Sequence, residues 1–225
     1  MKKITASPKV FVCVAALIAC ALPASAQYSR FYAKVDLGGN LTQNATLNEF
    51  FGPVAPNTKV KFDPGFSSGL LGGYQVTDWF SGEAEIRFME NSISSITGAD
   101  RVHNAYYANV PFLVNAKFQY PTKCIVMPYI GAGVGFSQAL MDVDQISLAG
   151  TSLNGHMWDT VFAWQAFAGL RFKINEQMGL SVEYHYFAAD GANWQADFTT
   201  GTFSDTMSMG RTQTHSFSLA FDFRF

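Results

Sequence analysis

Apolar and polar residues alternate one by one through several segments of this chain. In one of them, Val114, Ala116 and Phe118 occupy alternate positions, and Asn115 and Lys117 occupy the positions between. Successive side chains of a β-strand point to opposite faces, so this period of two predicts strands with one apolar and one polar face. The pattern predicts eight strands, at residues 31–37, 70–76, 80–88, 106–118, 130–136, 162–174, 180–186 and 217–225.

The two faces of these strands differ sharply in charge. The apolar faces contain no charged residue, whereas acids and bases are nearly balanced on the opposite faces. The charged positions are Lys34, Asp36, Glu83, Glu85, Arg87, Lys117, Arg171, Lys173, Glu183, Asp222 and Arg224. Buried charges need partners, so we expect these residues to form a lumen charge network of salt bridges. A proton or ion path is the alternative, but an eight-stranded barrel has little room beyond its own side chains.

Periodicity alone does not show which face points outward, because a soluble barrel with an apolar interior would alternate too. Composition favours the apolar face outside: charged residues make up only 14% of the chain and aromatic residues 15%. A water-facing barrel surface needs more charge, and eight strands enclose too little space for so many rings. We therefore expect an all-β protein, an eight-stranded antiparallel transmembrane up-and-down β-barrel.

The connections between the predicted strands alternate in length. The short ones lie at residues 77–78, 120–124 and 175–177. The long ones cover residues 38–67, 89–105, 137–159 and 187–213. Short periplasmic turns and longer extracellular loops are typical of outer-membrane barrels. In lipid every backbone N–H and C=O must be bonded within the protein, so such a sheet is expected to close.

The N-terminus has the pattern of an export signal. A basic start is followed by an uncharged stretch at 10–22 and by the small residues Ala24 and Ala26. The stretch is shorter than the ~20 apolar residues of a membrane-spanning helix. The sequence therefore predicts a signal peptide at 1–26 and an outer-membrane barrel domain at 27–225.

A second export pattern overlaps the first. Residues 17–20 read Leu-Ile-Ala-Cys and resemble the site at which bacterial lipoproteins are cleaved and acylated on the cysteine. Either pattern exports the chain, and cleavage after Ala26 is the favoured interpretation.

Charge and cysteine content exclude several classes of function. The chain has 15 basic and 17 acidic residues, and the predicted signal removes three lysines, which leaves 12 against 17. No basic patch suggests a nucleic acid partner. Cys124 is the single cysteine after the signal, so neither an internal disulfide nor a multi-cysteine zinc site is expected. We expect no cofactor and no metal.

Three short runs and the final strand carry a family pattern. The runs are 63–66 (Asp-Pro-Gly-Phe), 128–135 (Pro-Tyr-Ile-Gly-Ala-Gly-Val-Gly) and 180–186 (Leu-Ser-Val-Glu-Tyr-His-Tyr). The final strand alternates Phe217, Leu219, Phe221, Phe223 and Phe225. Together they resemble the small outer-membrane β-barrel family, which includes opacity-type surface antigens and OmpA-like transmembrane domains.

The resemblance implies a location and partners for the chain. The location is the outer membrane of a Gram-negative bacterium, with outer-membrane lipid and lipopolysaccharide as the surroundings. The terminal aromatic pattern is similar to the family's assembly signal, which the barrel assembly machinery reads. Family members that grip peptidoglycan do so through an added C-terminal domain, and we expect no peptidoglycan-binding domain here.

Catalysis is an alternative function. Related barrels include lipid A deacylases, which resemble serine hydrolases with a His and a Ser on the lipid-facing surface. Here His215 and Ser216 are adjacent, so their side chains are expected on opposite faces. His185 falls on the polar face, and His103 and His156 fall in predicted loops beside no serine and carboxylate pair. We therefore expect no enzymatic activity.

The long connections are the expected place for any specific function. Among their polar residues they carry Phe50, Phe51, Met141, Met157, Trp158, Trp194, Met207 and Met209. Such side chains contact a host surface or another protein, or else pack over the barrel mouth or join an interfacial aromatic girdle. Packing or a girdle is favoured. Asp142 and Asp144 lack the spacing of an EF-hand and are expected to be solvated rather than bound to a cation.

The sequence thus predicts a structural outer-membrane barrel with a surface-exposed interaction role. Its extracellular loops are the expected adhesin or antigen sites, with a host or surface ligand as the partner. A small channel or porin is the main alternative, and a lipid-modifying outer-membrane hydrolase is a further one. The motifs specify fold and location more than activity, because such barrels serve many roles.

Overall fold

The residues that the structure describes form twelve antiparallel strands. The computed structural model describes residues 30–122, 124–148, 151–195 and 206–225, so the predicted signal peptide and the Leu-Ile-Ala-Cys site lie outside the described residues. The strands are β1 (Phe31–Thr42), β2 (Ala45–Phe50), β3 (Lys59–Phe62), β4 (Gly65–Gln75), β5 (Phe80–Ile96), β6 (Ala99–Gln119), β7 (Val126–Leu148), β8 (Thr151–Lys173), β9 (Met178–Ala189), β10 (Ala192–Gln195), β11 (Thr206–Met209) and β12 (Thr212–Arg224). Within the described ranges, no helix has the length and apolar character needed to cross a membrane.

Eight of the strands close into a ring. Following the hydrogen bonds from β1, the order is β4, β5, β6, β7, β8, β9, β12 and back to β1. Closure pairs the first long strand with the last, with Lys34 opposite Asp222 and Leu37 opposite Leu219. The eight predicted strands fall within these eight, to within one residue at the short-turn ends. Turns at residues 76–79 and 174–177 join them at that end, and residues 120–122 and 124–125 lie in the connection between β6 and β7.

The four remaining strands continue ring strands beyond a two-residue break. The breaks lie at residues 43–44, 63–64, 190–191 and 210–211, between β1 and β2, β3 and β4, β9 and β10, and β11 and β12. Pro64 has no N–H to give to a ladder, and Gly191 and Gly210 tolerate a bend that other residues resist. Beyond the breaks, β10, β11, β2, β3 and β5 still pair in the order of the ring.

We call the part of the molecule above the breaks the crown. It consists of β2, β3, β10 and β11 together with residues 89–96, 99–107, 139–148 and 151–161 of β5 to β8. The crown corrects the prediction that residues 89–105 and 137–159 are long loops, because these connections are nearly all strand.

The crown escaped the sequence pattern because its alternation has the opposite phase. On β7, the apolar residues Val134 and Phe136 point outward and are exposed, whereas Met141 and Val143 point inward and are buried. Beyond Phe136 the outward positions are mostly polar, since only Leu140 is apolar among Gln138, Leu140, Asp142 and Asp144, and Asp142 is exposed. We call the part of the ring between the breaks and the short turns the lower ring. It is apolar outside and polar inside. The crown has the reverse arrangement, as in a soluble protein.

The inward side chains of the crown form one hydrophobic core. Most of it comes from β2, β5 to β8, β10 and β11, and it includes Leu47, Phe50, Phe51, Val60, Met89, Ile93, Tyr107, Met141, Ile146, Met157, Phe187, Trp194, Met207 and Met209. Of the eight large apolar residues predicted in the long connections, seven are buried, which agrees with the favoured packing interpretation. Trp158 differs, since 69% of it is exposed.

Trp158 lies on the outer surface at a change of polarity. It sits on β8 between the exposed Phe162 on the apolar side and the His156–Asp142 pair on the polar side. An outward tryptophan at such a boundary fits the aromatic girdle that outer-membrane barrels carry at the membrane interface.

Candidate functional site

The charged residues of the lower ring gather in its interior. Nine of the eleven predicted network residues are buried there, and they are Lys34, Asp36, Glu83, Glu85, Arg87, Lys117, Arg171, Glu183 and Asp222. Arg224 is half-buried at the open end of the ring that carries the short turns, which we call the short-turn mouth. Because six strands contribute these side chains, the network exists only once the ring has closed.

Lys173 departs from the prediction. Its ammonium pairs with Glu176 in the turn after β8, with 2.6 Å between Nζ and Oε1, and both side chains are exposed. The hydrogen bond from Lys173 lowers the pKa of the Glu176 carboxyl below its ordinary value. Position 173 has the right parity for the lumen, but it is the last residue of its strand, so its long side chain reaches water.

Arg87 organises the upper half of the network. Its guanidinium donates to both Asp36 oxygens, at 2.8 and 3.1 Å, and its Nε donates to Glu85 Oε1 at 2.8 Å. The amides of Asn115 and Gln165 each donate to Glu85 Oε2 at 2.6 Å. A two-pronged guanidinium and carboxylate pair is the strongest geometry for a buried ion pair, and these amides complete it.

A glycine makes room for this cluster. The inner face of β7 at Gly133 lies directly under the Asn115 side chain, and a Cβ at position 133 would collide with its Oδ1. Gly131 and Gly133 therefore make room on the inner face for side chains of the two neighbouring strands, Phe167 of β8 and Asn115 of β6. Any larger residue at 133 would displace Asn115 from Glu85.

Two lysine pairs form the lower half. Lys34 Nζ lies 2.7 Å from Glu183 Oε1, and Lys117 Nζ lies 2.5 Å from Glu83 Oε1. Tyr129 donates a hydrogen bond to Glu183, and the hydroxyl of another tyrosine, at position 32, donates to Glu83. Sequence reasoning missed both tyrosines because it followed charge alone, although they share the strand parity of the charged residues.

His185 connects the two halves. Its Nε2 lies 3.0 Å from Glu183 Oε2 and 3.3 Å from Arg87 Nη2, and its Nδ1 lies 3.3 Å from Gln165 Oε1. The ring also stacks on Phe167, with centroids 5.4 Å apart. The histidine is thus held on every polar atom by the network, as expected for a packed lumen residue.

Above the network the interior changes from charged to neutral and then to apolar. Ser137 donates to Asn109 at 3.1 Å, and Thr42 donates to Asn91 at 2.7 Å. Tyr107 spans the boundary, since its hydroxyl lies 3.3 Å from Thr212 while its ring meets the crown core. From the short-turn mouth upward, the interior is therefore a charged layer, a neutral polar layer and an apolar core.

The outer surface of the crown carries an ordered polar face. Cross-strand bonds join Asp142 Oδ1 to His156 Nδ1 at 2.9 Å and Asn104 Nδ2 to Asp144 Oδ2 at 2.9 Å. Asn154 adds a bond from its amide to the Asp144 carbonyl at 2.5 Å. We call these five residues of β6, β7 and β8 the crown face.

The histidine and serine considered for hydrolysis face different environments. His215 lies on the outer surface, where its Nδ1 is 2.7 Å from the Tyr184 hydroxyl. Ser216 is fully buried, with its Oγ 3.9 Å from Met89 Sδ inside the ring. The two side chains therefore cannot act on one substrate. Among the described residues, no group of three or more His, Cys, Asp or Glu side chains is placed to hold a metal ion.

The predicted assembly-signal residues lie along β12. Phe217, Leu219 and Phe221 are exposed on the outside of the ring. Phe223 and Phe225 are half-buried and pack edge to face with centroids 5.4 Å apart. Phe225 also closes the ring at the short-turn mouth, since its N–H donates to the carbonyl of Phe31 at 3.1 Å.

Comparison with known families identifies the class of this protein. A family model described as "Outer membrane protein beta-barrel domain" matches residues 12–225. The chain therefore belongs to the outer-membrane β-barrel family, as its sequence resemblance implied. None of the curated proteins compared with it shows a significant sequence match.

Solved structures share this fold at low sequence identity. Neisserial surface protein A is 15% identical, with 88% of this chain and 99% of that chain covered and a TM-score of 0.51. The outer membrane protein OprG from Pseudomonas aeruginosa is 13% identical, with coverages of 88% and 98% and a TM-score of 0.62. The outer membrane protease OmpT from Escherichia coli is 10% identical, with coverages of 90% and 99% and a TM-score of 0.48. Identities this low show the fold alone.

Proposed function

We propose that this chain is a transmembrane outer-membrane barrel that displays the crown outside the cell and makes surface contacts through it, without catalysis. In this orientation the apolar exterior of the ring meets lipid, the short turns face the periplasm and the broken strands project outward. The observation that carries the proposal is the inversion of polarity between ring and crown. Only a surface that leaves the lipid gains from polar outward positions and a buried apolar core.

The crown is suited to display because its core fixes its shape. Loops without a core move and lose conformational entropy when they bind. Here buried side chains from four short strands and five ring strands hold the outward residues in place. On the crown face, side-chain bonds join polar residues of three neighbouring strands, so we propose it as the contact site for an extracellular ligand.

A triple variant tests the contact site. Asp142→Ala, Asp144→Ala and His156→Ala together remove the side-chain charges of the crown face without touching the core. Cells that display the wild-type barrel are expected to adhere to immobilised extracellular-matrix glycoproteins, and the triple variant is expected to adhere only as well as cells without the barrel. Lys59→Ala with Lys61→Ala on β3 is the control and should preserve adhesion.

Two outcomes would contradict this proposal. One is wild-type cells that adhere no better than cells without the barrel. The other is an equal loss of adhesion in the β3 control, which would indicate a general charge effect rather than contact by the crown face. Surface display of every variant is checked by protease accessibility of intact cells.

The assembly role of the final aromatic residue is a separate prediction. Deletion of Phe225 is expected to lower the amount of folded barrel in cells far more than the stability of barrels refolded in detergent. The physical reason is that Phe225 contributes one backbone bond and one ring contact to the closed barrel, whereas the terminal pattern resembles a signal read before closure. Cold-SDS gel mobility measures the closed fraction in both settings. Wild-type levels of the truncated chain in the outer membrane would refute the assembly role.

A further inference from the structure

The short-turn mouth of the ring opens into a pocket with an excess of positive charge. The pocket encloses only about 20 Å³ and is open to solvent on one side. Its charged lining consists of Lys34, Lys117, Arg171, Arg224 and Asp222. Four cations against one carboxylate are an unusual lining for the end of a network that is otherwise nearly balanced.

Three of the four cations are already neutralised. Lys34 and Lys117 pair with carboxylates deeper in the lumen. Arg171 pairs with Asp222 in a close two-pronged contact, with Nη2 2.5 Å from Oδ2 and Nε 2.9 Å from Oδ1. The surplus positive charge of the pocket therefore belongs to Arg224.

Arg224 has no partner for its side chain among the described residues. The Arg224 Nε is buried and donates no hydrogen bond, although the backbone N–H of the same residue is bonded to Gln177. A guanidinium has five N–H donors, and leaving a buried one unsatisfied costs ~1–3 kcal/mol. The neighbouring Arg171 repels this guanidinium, and the two carboxylates that attract it, Asp222 and Glu176, are already bonded to Arg171 and Lys173.

We propose that this pocket, named here the mouth pocket, binds a small oxyanion through Arg224, in the form of a phosphate or a carboxylate group. An oxyanion would accept hydrogen bonds from the unbonded N–H groups of the guanidinium, in the two-pronged geometry that arginine prefers. The Gln75 and Gln119 side chains line the same space and can donate to further oxygens of the anion. Only a small group fits, because the enclosed space is about 20 Å³ and the rest of the group has to remain at the open side. In the proposed orientation the anion enters from the periplasm.

The test is calorimetric titration of the whole refolded barrel in a non-ionic detergent at low salt. One arm uses inorganic phosphate and the other uses N-acetylglycine, which separates a phosphate source from a carboxylate source. We expect saturable binding in at least one arm. Arg224→Gln should weaken it about tenfold or more, as for loss of charge-assisted hydrogen bonds. Arg30→Gln is the control, because that exposed guanidinium at the same end bonds to the Val76 carbonyl outside the pocket lining.

A second variant keeps the test decisive if Arg224→Gln assembles poorly. Gln75→Glu places a carboxylate in the pocket lining without changing the final strand, and it should abolish anion binding by repulsion and by pairing with Arg224. Absence of saturable binding to wild type in both arms would overturn the proposal. So would equal weakening by Arg30→Gln, or undiminished binding in a folded Gln75→Glu barrel. None of these outcomes depends on the crown, so they do not bear on the proposed surface role.

Discussion

Trp194→Ala is expected to destabilise the barrel by ~3–5 kcal/mol, the cost of removing a large aromatic side chain from a packed core. Trp194 is completely buried, meets Tyr107 edge to face at 6.3 Å and donates from Nε1 to the Ala139 carbonyl at 3.0 Å. The substitution therefore leaves a cavity in the crown and removes the hydrogen bond to the Ala139 carbonyl. The measurement is the urea dependence of the folded fraction, read as cold-SDS gel mobility after refolding into lipid vesicles.

Trp158→Ala is the matched control for this substitution. It removes the same side chain from the outer surface of β8, where 69% of the residue is exposed. Its loss should cost less than ~1 kcal/mol in the same vesicle assay, as for most surface substitutions. Equal effects at the two positions would mean that the crown has no packed core. Protease digestion of the folded variants adds a local readout, since Trp194→Ala should expose cleavage sites in the crown first.

Arg87→Met should be the most damaging change in the lumen, with an expected loss of ~3–5 kcal/mol. Methionine replaces much of the volume but leaves Asp36 and Glu85 buried without their shared cation. The contact pattern explains the size of the effect, because three of the guanidinium nitrogens are bonded to these carboxylates. Urea titration with the same gel assay measures it.

The control for the lumen substitution is a second arginine that pairs at the surface. Arg211 lies 2.9 Å from Asp190, and both side chains are about half exposed. Arg211→Met should cost at most ~1 kcal/mol, since exposed ion pairs contribute little. A loss at Arg87 as small as the loss at Arg211 would show that water reaches the lumen carboxylates and that the interior is not sealed.

The sequence predicted the ring well for a physical reason. A strand between lipid and a polar lumen alternates strongly, so residues such as Phe112 and Lys117 mark both its course and its faces. A search for this alternation with one fixed phase misses the crown. There Met141 and Val143 continue the β7 strand, but the apolar side is turned inward. A strand search that allowed the phase to change within a segment would have found the crown.

The charge network shows a similar limit. Strand parity placed most of the charged residues inside the ring, yet it gave no partners. Arg87 pairs with Asp36, 51 positions away, and Lys34 pairs with Glu183, 149 positions away. Such pairs depend on the register and the stagger with which the ring closes. Neither can be predicted from the sequence of a single strand. The same absence of register information hid Arg224 as a cation without a partner.

Planar-bilayer conductance of the purified wild-type barrel tests most directly whether the lumen is sealed. We expect no large, stable conductance of the kind that general porins show. The reason is that the charged, neutral and apolar layers fill an eight-stranded lumen from the mouth pocket to the crown. The recording is made with barrels whose folding has been checked by gel mobility, and a general porin in the same bilayer serves as the positive control. Stable porin-sized openings from the wild-type barrel would contradict a sealed lumen and favour the channel alternative.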